Sequence, residues 1–413
     1  MSTVLKVGSD VFEQSLALNK VPDVSSENLY LHLRSSKGFP IYNSYYKDLQ
    51  EHILGRVKSF NNRLREHYVL NHSKSGAILN AEDPSMRHYL ERFPEKQFKI
   101  SPGDLFLKPA CCASAFKIWG SKGVHLKKKQ VMHEVSDCYR LEYEGTVRTF
   151  RRNCVFTMPD YHMITVEPEM LKDFSRVREL IFLFYEDLLG PDWAIYFEEI
   201  VRVSSENYQK YREFIDGMTP PRDNQLVVHL NDYKESPPYF ELKYELAYRG
   251  GPRLITLGTI QIDYLYPKMF ELDQSKYGPR PALHFTQGSV PRIVELMVNQ
   301  GKTPCKGVKL FTFKGVDRDL VIEALNLKCA ILLDNTSVNL NQALKSSPLE
   351  ALFFPTLIVV GEQELRRREV ATLDRNSKIN RNYTYEELSD LINRDRFFME
   401  SKQIHYSSTF CRD

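Results

Sequence analysis

The chain has 413 residues, more than one typical hydrophobic core accommodates, so two domains are expected, with room for a small further module. Its 56 basic against 53 acidic side chains leave a formal charge of +3, which excludes bulk charge as a basis for nucleic-acid binding and makes any RNA contact local. No run of about 18 apolar residues occurs, and residues 1–13 lack the basic start and apolar stretch of a signal peptide, so a soluble, cytoplasmic protein with no membrane partner is expected. The seven cysteines, at 111, 112, 138, 154, 305, 329 and 411, are odd in number and form no CxxC pair. That is the pattern of free thiols in a reducing compartment, with one of them available as a metal ligand.

Residues 1–30 are mixed in character and read as an N-terminal extension ending in the loop-like PDVSSEN. Over 45–68, Tyr45, Leu49, Ile53, Val57, Phe60 and Leu64 recur at helical spacing with no proline between them, which predicts an amphipathic helix. The segment 142–164 alternates apolar and charged runs around the turn-like EYEGT, and predicts two antiparallel strands joined by a loop. Residues 170–189 have helical periodicity and stop at Gly190-Pro191. The stretch 239–266 returns to β-rich sequence, broken by the turn RGGPR. Beyond about residue 300, VKLFTF, CAILLD and FFPTLIVVG read as strands alternating with the helices DRDLVIEALNL and YTYEELSDLINRDRFF, the signature of a small α/β domain. The boundary falls in GKTPCKG, giving domains 1–300 and 301–413.

The stretch FTMPDYHMIT sets Asp160 and His162 two residues apart inside an apolar, strand-like run. A lone histidine in such a run is ordinarily a core residue whose ring nitrogens find backbone partners. Two further features stand beside it: Cys112 in DLFLKPACCASAFKIW and His284 in RPALHFTQGSVPRIVEL. The three are far apart in sequence, so no spacing rule by itself makes them a metal triad.

The segments KPACCASAFKIW (108–119), CYRLEYEGTVRTFRRNCVFTMPDYH (138–162), YFELKYELAYRGGPRLITLGTIQID (239–263) and LHFTQGSVPR (283–292) together resemble the catalytic core of class II aminoacyl-tRNA synthetases, specifically the archaeal type of threonyl-tRNA synthetase. The resemblance runs from about residue 38 to 396. It implies an α/β (α+β) fold: an antiparallel-sheet catalytic core followed by a small α/β anticodon-binding-like domain. It implies that Cys112, His162 and His284 hold one zinc ion, with Cys111 a bystander. The open metal position takes the amino and hydroxyl groups of L-threonine, and Asp160 accepts a hydrogen bond from that hydroxyl. Such a site rejects valine strongly and serine weakly.

The same resemblance implies an ATP site, with magnesium accompanying the nucleotide. In it Arg140 clamps the α-phosphate, Glu142 lies on the adenine side, Arg152 meets the γ-phosphate, Phe156 stacks on adenine, Gln261 touches the α-phosphate and Arg292 closes the other face. Arg140 and Arg292 are the catalytic pair. Singly, arginines of a hairpin are ordinarily solvated and Phe156 is ordinarily core; the ordered set beside the triad favours a site. Tyr239 and Lys243 fall at amino-acid pocket positions. The implied activity is ATP-dependent activation of threonine and its transfer to tRNA(Thr) by a homodimer, with serine errors corrected by a separate editing protein.

Four departures from the family pattern bear on this. Asn43 stands where a histidine is proposed to assist transfer to tRNA, and an amide cannot shuttle a proton. The motif-closing proline of the dimer segment is missing from YVLNHSKSGAILN. The interval from His284 to Arg292 is one residue short. The basic strand of the C-terminal domain is thinned to Arg375 and Lys378. The alternatives left open are a paralogue that activates threonine without ordinary charging and a non-catalytic, tRNA-binding regulatory descendant. The basic run HLKKKQ (125–130) offers a minor contact to RNA phosphates.

Overall fold

The computed structural model describes residues 4–7, 30–31, 38–42, 44–91, 96–122, 129–143, 146–147, 150–221, 226–230, 240–250, 253–272, 279–302, 307–327, 329–334, 339–344, 353–374, 379–394 and 405–407. They fall into two compact units, Met1–Asn299 and Gln300–Asp413. Asn43, Tyr239, Arg375 and Lys378 lie outside the described residues.

In the first unit the strands of the main sheet are, in chain order, Val4–Val7 (β1), Val69–His72 (β2), Gln130–Tyr139 (β3), Val155–Ile164 (β4), Phe197–Val203 (β5), Leu226–Leu230 (β6), Leu242–Gly250 (β7), Arg253–Asp263 (β8) and Ala282–Thr286 (β9). They form one sheet in the order β1-β6-β5-β7-β8-β9-β4-β3-β2. The inner pairs from β5 to β3 are antiparallel, while β1, β6 and β2 join parallel to their neighbours. The expected hairpin is β3–β4, but its first strand lies earlier in sequence than the alternation suggested: Tyr139 pairs with Val155, and the charged stretch between them is the connection.

Helix α1 (Ser44–Arg65) realises the first amphipathic pattern, with Leu49, Ile53, Val57, Phe60 and Leu64 buried. Helix α3 (Glu167–Leu189) realises the second, burying Met170, Phe174, Val177, Ile181 and Phe184 and stopping at Gly190, whose φ of 88° suits glycine. Shorter helices include α2 (Cys112–Lys122), whose Phe116 lies beside His162 and His284, and α4 (Val290–Asn299).

Strand alternation decides which sheet face α1 and α3 cover. A Cβ on Gly258 would meet Ile181 of α3 at 3.0 Å, and Tyr161 stacks between Phe60 of α1 and Phe285, at 5.3 and 5.0 Å between ring centroids. The residues one step away in sequence, Thr259, Asp160 and His162, therefore face the opposite side. A register shift between Leu246 and Ala247 leaves Leu257 as an extra residue in β8, a β-bulge that locally bends the strand.

The second unit has strands Gly307–Thr312 (β10), Ala330–Leu333 (β11), Thr356–Val360 (β12), Glu369–Asp374 (β13), Asn380–Thr384 (β14) and His405–Ser407 (β15), ordered β14-β13-β12-β10-β11-β15. Strands β12, β10, β11 and β15 are parallel, and β13 and β14 add antiparallel pairs. Helices α5 (Arg318–Leu325) and α6 (Tyr385–Arg394) bury Val321, Leu325, Leu388 and Ile392 against Val308, Leu310, Ile358 and Val360. Asp317 caps α5 by accepting from the Asp319 and Leu320 amides. The whole is an α/β fold rich in antiparallel pairing. Among the described residues no helix is long and apolar enough to cross a membrane.

One ion pair is fully enclosed by the first unit. Lys108 Nζ lies 2.8 Å from Glu134 Oε1 and donates to Ser75 Oγ at 2.8 Å and Ser136 Oγ at 2.6 Å, with the two charged side chains 1% and 2% exposed. Burial alone would raise Glu134, yet Lys108 and Ser75 hold its carboxyl below the ordinary value. Replacing only the lysine strands a buried charge, so Lys108→Met should cost about 3–5 kcal/mol of stability in urea unfolding. The double variant Lys108→Met, Glu134→Leu should recover most of that loss.

Candidate active site

Four neighbouring strands bring the sequence-predicted His162, His284, Gln261 and Lys243 into one row on the sheet face opposite α1 and α3, with a second row of polar residues beside it. His162 of β4 is paired with His284 of β9, His284 with Gln261 of β8, and Gln261 with Lys243 of β7. Two residues along, Thr286 pairs with Thr259, and Thr259 with Glu245. On the other side, Asp160 pairs with Glu134. Polar residues at every second position of otherwise apolar strands are thereby gathered without any being close in sequence.

At one end of the rows, ligand-type atoms of Cys112, His162 and His284 lie within 4.8 Å of one another. Cys112 is the first residue of α2, where the helix dipole favours a negative ligand atom. The two imidazoles are buried with centroids 5.0 Å apart, edge to face. His284 Nε2 is 2.9 Å from Asp263 Oδ2, while Asp263 Oδ1 accepts from the amides of Leu265 at 2.6 Å and Tyr266 at 3.2 Å. That leaves His284 Nδ1 and His162 Nε2 as buried atoms without a hydrogen-bond partner among the described residues. Burial, then the nearby His284, pushes His162 well below its usual pKa. It is thus neutral, the form that binds a metal.

Two orphaned imidazole nitrogens facing one thiol fit a zinc ion with a fourth position open, and Asp263 is the carboxylate that would orient one of the ligating rings. Asp160 lies at the same end, its Oδ2 3.8 Å from His162 Nε2. Burial lifts its carboxyl to about 7, with Glu134 adding to the rise.

A cleft of about 480 Å³ runs from this cluster along the sheet, and Arg140, Glu142, Arg152, Phe156, Gln261, Lys243 and Arg292 all line it. Arg140 Nε donates to Pro109 O at 3.0 Å, and its guanidinium sits 5.2 Å from the Phe156 ring centroid. Arg152 Nε donates to Glu142 Oε2 at 2.6 Å, and Lys96 lies 3.6 Å from Oε1. Arg292 is held by two backbone carbonyls, Arg151 O and Thr256 O, each at 2.9 Å. Burial and the charge of Arg140 lower its pKa.

The short interval between His284 and Arg292 is spanned through Gly288, at φ 124°, where a Cβ would come within 3.1 Å of the Leu257 backbone. Only glycine allows this turn, and it delivers both side chains to one cleft.

Several residues of the site went unnoticed in the sequence. Asp263 belongs to GTIQID, two places from Gln261, and the period of a strand marks it as facing the same way. Glu245 stands in the same relation to Lys243: it binds Lys243 Nζ at 2.6 Å, Arg202 Nε at 3.1 Å and Thr256 Oγ1 at 3.2 Å. Lys96 and Asn153, which also line the cleft, carry no sequence signal. Of the basic run 125–130, residues 125–128 lie outside the described residues, and Lys129 is engaged by Glu169 and by Asp173 at 2.7 Å.

Known proteins resemble this chain in sequence and in fold. The threonine–tRNA ligase of Thermococcus onnurineus is 26% identical over 318 residues, 70% of this chain and 50% of that protein. The threonine–tRNA ligase of Nanoarchaeum equitans is 27% identical over 352 residues, 78% of this chain and 53% of that protein. The chain resembles the threonyl-tRNA synthetases. It spans about half the length of the curated relatives it matches. The fold is similar to that of the RNA-binding domain of threonyl-tRNA synthetase from Cryptosporidium parvum, with a TM-score of 0.66 at 15% identity, covering 94% of this chain and 100% of that one. A structure from Aeropyrum pernix carrying a threonyl-tRNA synthetase name gives the same TM-score at 16% identity, covering 97% and 99%. No family model matches the chain.

Because Asp263 fixes the His284 ring, Asp263→Asn should weaken zinc binding by about ten- to a hundredfold, measured by chelator competition on the purified chain. Unchanged zinc affinity would show that the ring is held without that carboxylate.

Proposed function

We propose that the chain is an ATP-dependent threonine–tRNA ligase. The observation that carries this reading is the convergence of a Cys112–His162–His284 cluster and an arginine-lined cleft on one sheet face, in a chain similar to threonine–tRNA ligases. Cys112, His162 and His284 would hold zinc, which when bound supplies an electrophilic position for the amino and hydroxyl groups of threonine. Asp160 accepts a hydrogen bond from that hydroxyl. Valine leaves Asp160 without this bond and is rejected, whereas serine differs by one methyl and is discriminated by only about 10–200-fold.

ATP enters with its magnesium along the arginines. The threonine carboxylate oxygen attacks the α-phosphorus, the bond to pyrophosphate breaks, and threonyl-adenylate forms. Arg140 and Arg292 bear the charge that develops on the phosphate oxygens, Gln261 positions the α-phosphate, Arg152 engages the γ-phosphate, and Phe156 and Glu142 receive adenine. No side-chain nucleophile takes part, so positioning and electrostatics supply the rate. In the second step a ribose hydroxyl of tRNA(Thr) attacks the threonyl carbonyl and AMP leaves. The second unit is the part proposed to meet tRNA, and a homodimer is the proposed assembly.

A second reading, activation without ordinary charging, is favoured by Asn43, which replaces a residue able to pass a proton. The deciding experiment is threonine-dependent exchange of pyrophosphate into ATP, followed by attachment of threonine to total tRNA in the same preparation. We expect exchange with threonine, weaker exchange with serine and none with valine, together with charging. Cys112→Ala should lose both zinc and exchange. Exchange without charging would favour the second reading, and zinc-loaded protein that does neither would overturn both in favour of a binding descendant.

A further inference from the structure

Arg292 is held differently from Arg152 and Lys243. Those two meet a carboxylate directly, Arg152 at Glu142 and Lys243 at Glu245, whereas Arg292 donates to two backbone carbonyls, Arg151 O and Thr256 O, and among the described residues forms no ion pair. Neutral acceptors orient a guanidinium without neutralising it, so its charge stays available to a ligand.

The two carbonyls belong to residues that are themselves anchored by buried acids. Thr256 Oγ1 donates to Glu245 Oε2 at 3.2 Å. Arg151 Nε donates to Glu295 Oε1 at 2.6 Å, with the acid side chain only 4% exposed. Glu295 stands three residues past Arg292 on α4, one turn along, and its neighbours Ile293, Val294, Leu296, Met297 and Val298 are all buried. An acid in that setting is costly unless it is paired. The pair it makes closes a ring: Arg292 grips the Arg151 carbonyl, and the Arg151 side chain returns to the helix that carries Arg292. Arg152 follows directly in the chain, so the same ring fixes the spacing of two arginines that line the cleft. Burial and the charge of Arg140 lower the Arg292 pKa, and the Glu295 charge opposes them.

We infer that Glu295 is a positioning residue for activation of the nucleotide: through the Arg151 side chain it fixes the carbonyl that aims Arg292. Glu295 is not among the residues lining the cleft, while Arg151 is, so the acid acts through its neighbours and touches no substrate. This rests on the ATP half of the proposed function and adds a residue to it.

The test is pyrophosphate exchange at varied ATP and varied threonine, with calorimetric binding of the ATP–magnesium complex, for the zinc-loaded wild type, Glu295→Gln, Arg151→Met, Arg151→Lys and the double variant Glu295→Gln, Arg151→Met. Glu295→Gln keeps the size of the side chain and removes its charge. It and Arg151→Met should each lower kcat for exchange by about ten- to a hundredfold, with zinc content and the KM for threonine as in the wild type. The double variant should be no worse than the poorer single, because both break one link, and Arg151→Lys, which keeps a cation facing the acid, should retain most of the rate. Losses that multiply in the double variant, a threonine KM that rises together with the fall in kcat, or wild-type rates in Glu295→Gln would overturn the inference and leave the nucleotide site standing. Should Glu295→Gln not fold, the partly exposed Arg151 decides: equal rates in its Met and Lys variants would overturn the inference. If the wild type neither exchanges nor binds ATP, the nucleotide reading falls, and this inference with it.

Discussion

Everything at the site depends on the pleat of β4. With Tyr161 pressed between Phe60 and Phe285 on the helix side, Asp160 and His162 have no choice but the other face. The cost is two buried groups that apolar packing cannot satisfy: an acid whose carboxyl is lifted toward neutrality and an imidazole with a nitrogen that has no partner among the described residues. The surrounding core, from α1 and α3 to the aromatic residues between them, is large enough to sustain that cost. Neighbouring strands repeat the division. On β9, Phe285 turns to the helices and His284 to the cleft; on β8, Ile260 is buried among apolar groups and Gln261 faces out.

The electrostatic arrangement follows from the same geometry. Charges in the cleft are held by one another or by backbone carbonyls and are not left to bulk water: Glu142 by Arg152 and Lys96, Lys243 by Glu245, Arg292 by two carbonyls. Such groups are already oriented before a ligand arrives, so they need little reorganisation to meet developing charge. Asp263 illustrates the economy of the design, because one oxygen steers His284 while the other caps the short helix Leu265–Met269.

Much of the fold was legible because it rests on local periodicity. The stripes of α1 and α3 and the Gly190 stop are simple 3.6-residue patterns with a turn signal. In the second unit, YTYEELSDLINRDRFF read as helix throughout, whereas Asn380–Thr384 is strand and the helix begins at Tyr385. The reciprocal bonds between Thr384 and Glu387 mark that start, and the T-x-x-E spacing was there to be seen. The likeness of separated motifs to a family supplied the cluster residues; composition and spacing alone would have left His162 a core histidine. What could not be read was pairing across distance: Lys108 with Glu134 and Asp263 with His284 follow from which strands become neighbours, a property no local window contains.

The bulge at Leu257 constrains how this cleft can be altered. On one side of it Thr259, Gln261 and Asp263 point toward the ligand space, and on the other Thr256 does so in the opposite phase of the pleat. Side chains along β8 can therefore be exchanged individually, each leaving its neighbours facing as before. The number of residues cannot change in the same way. Deleting one near 257 would restore a regular ladder and turn Thr256, with the carbonyl that holds Arg292, out of position, so the length of this strand is constrained separately from the identity of its side chains.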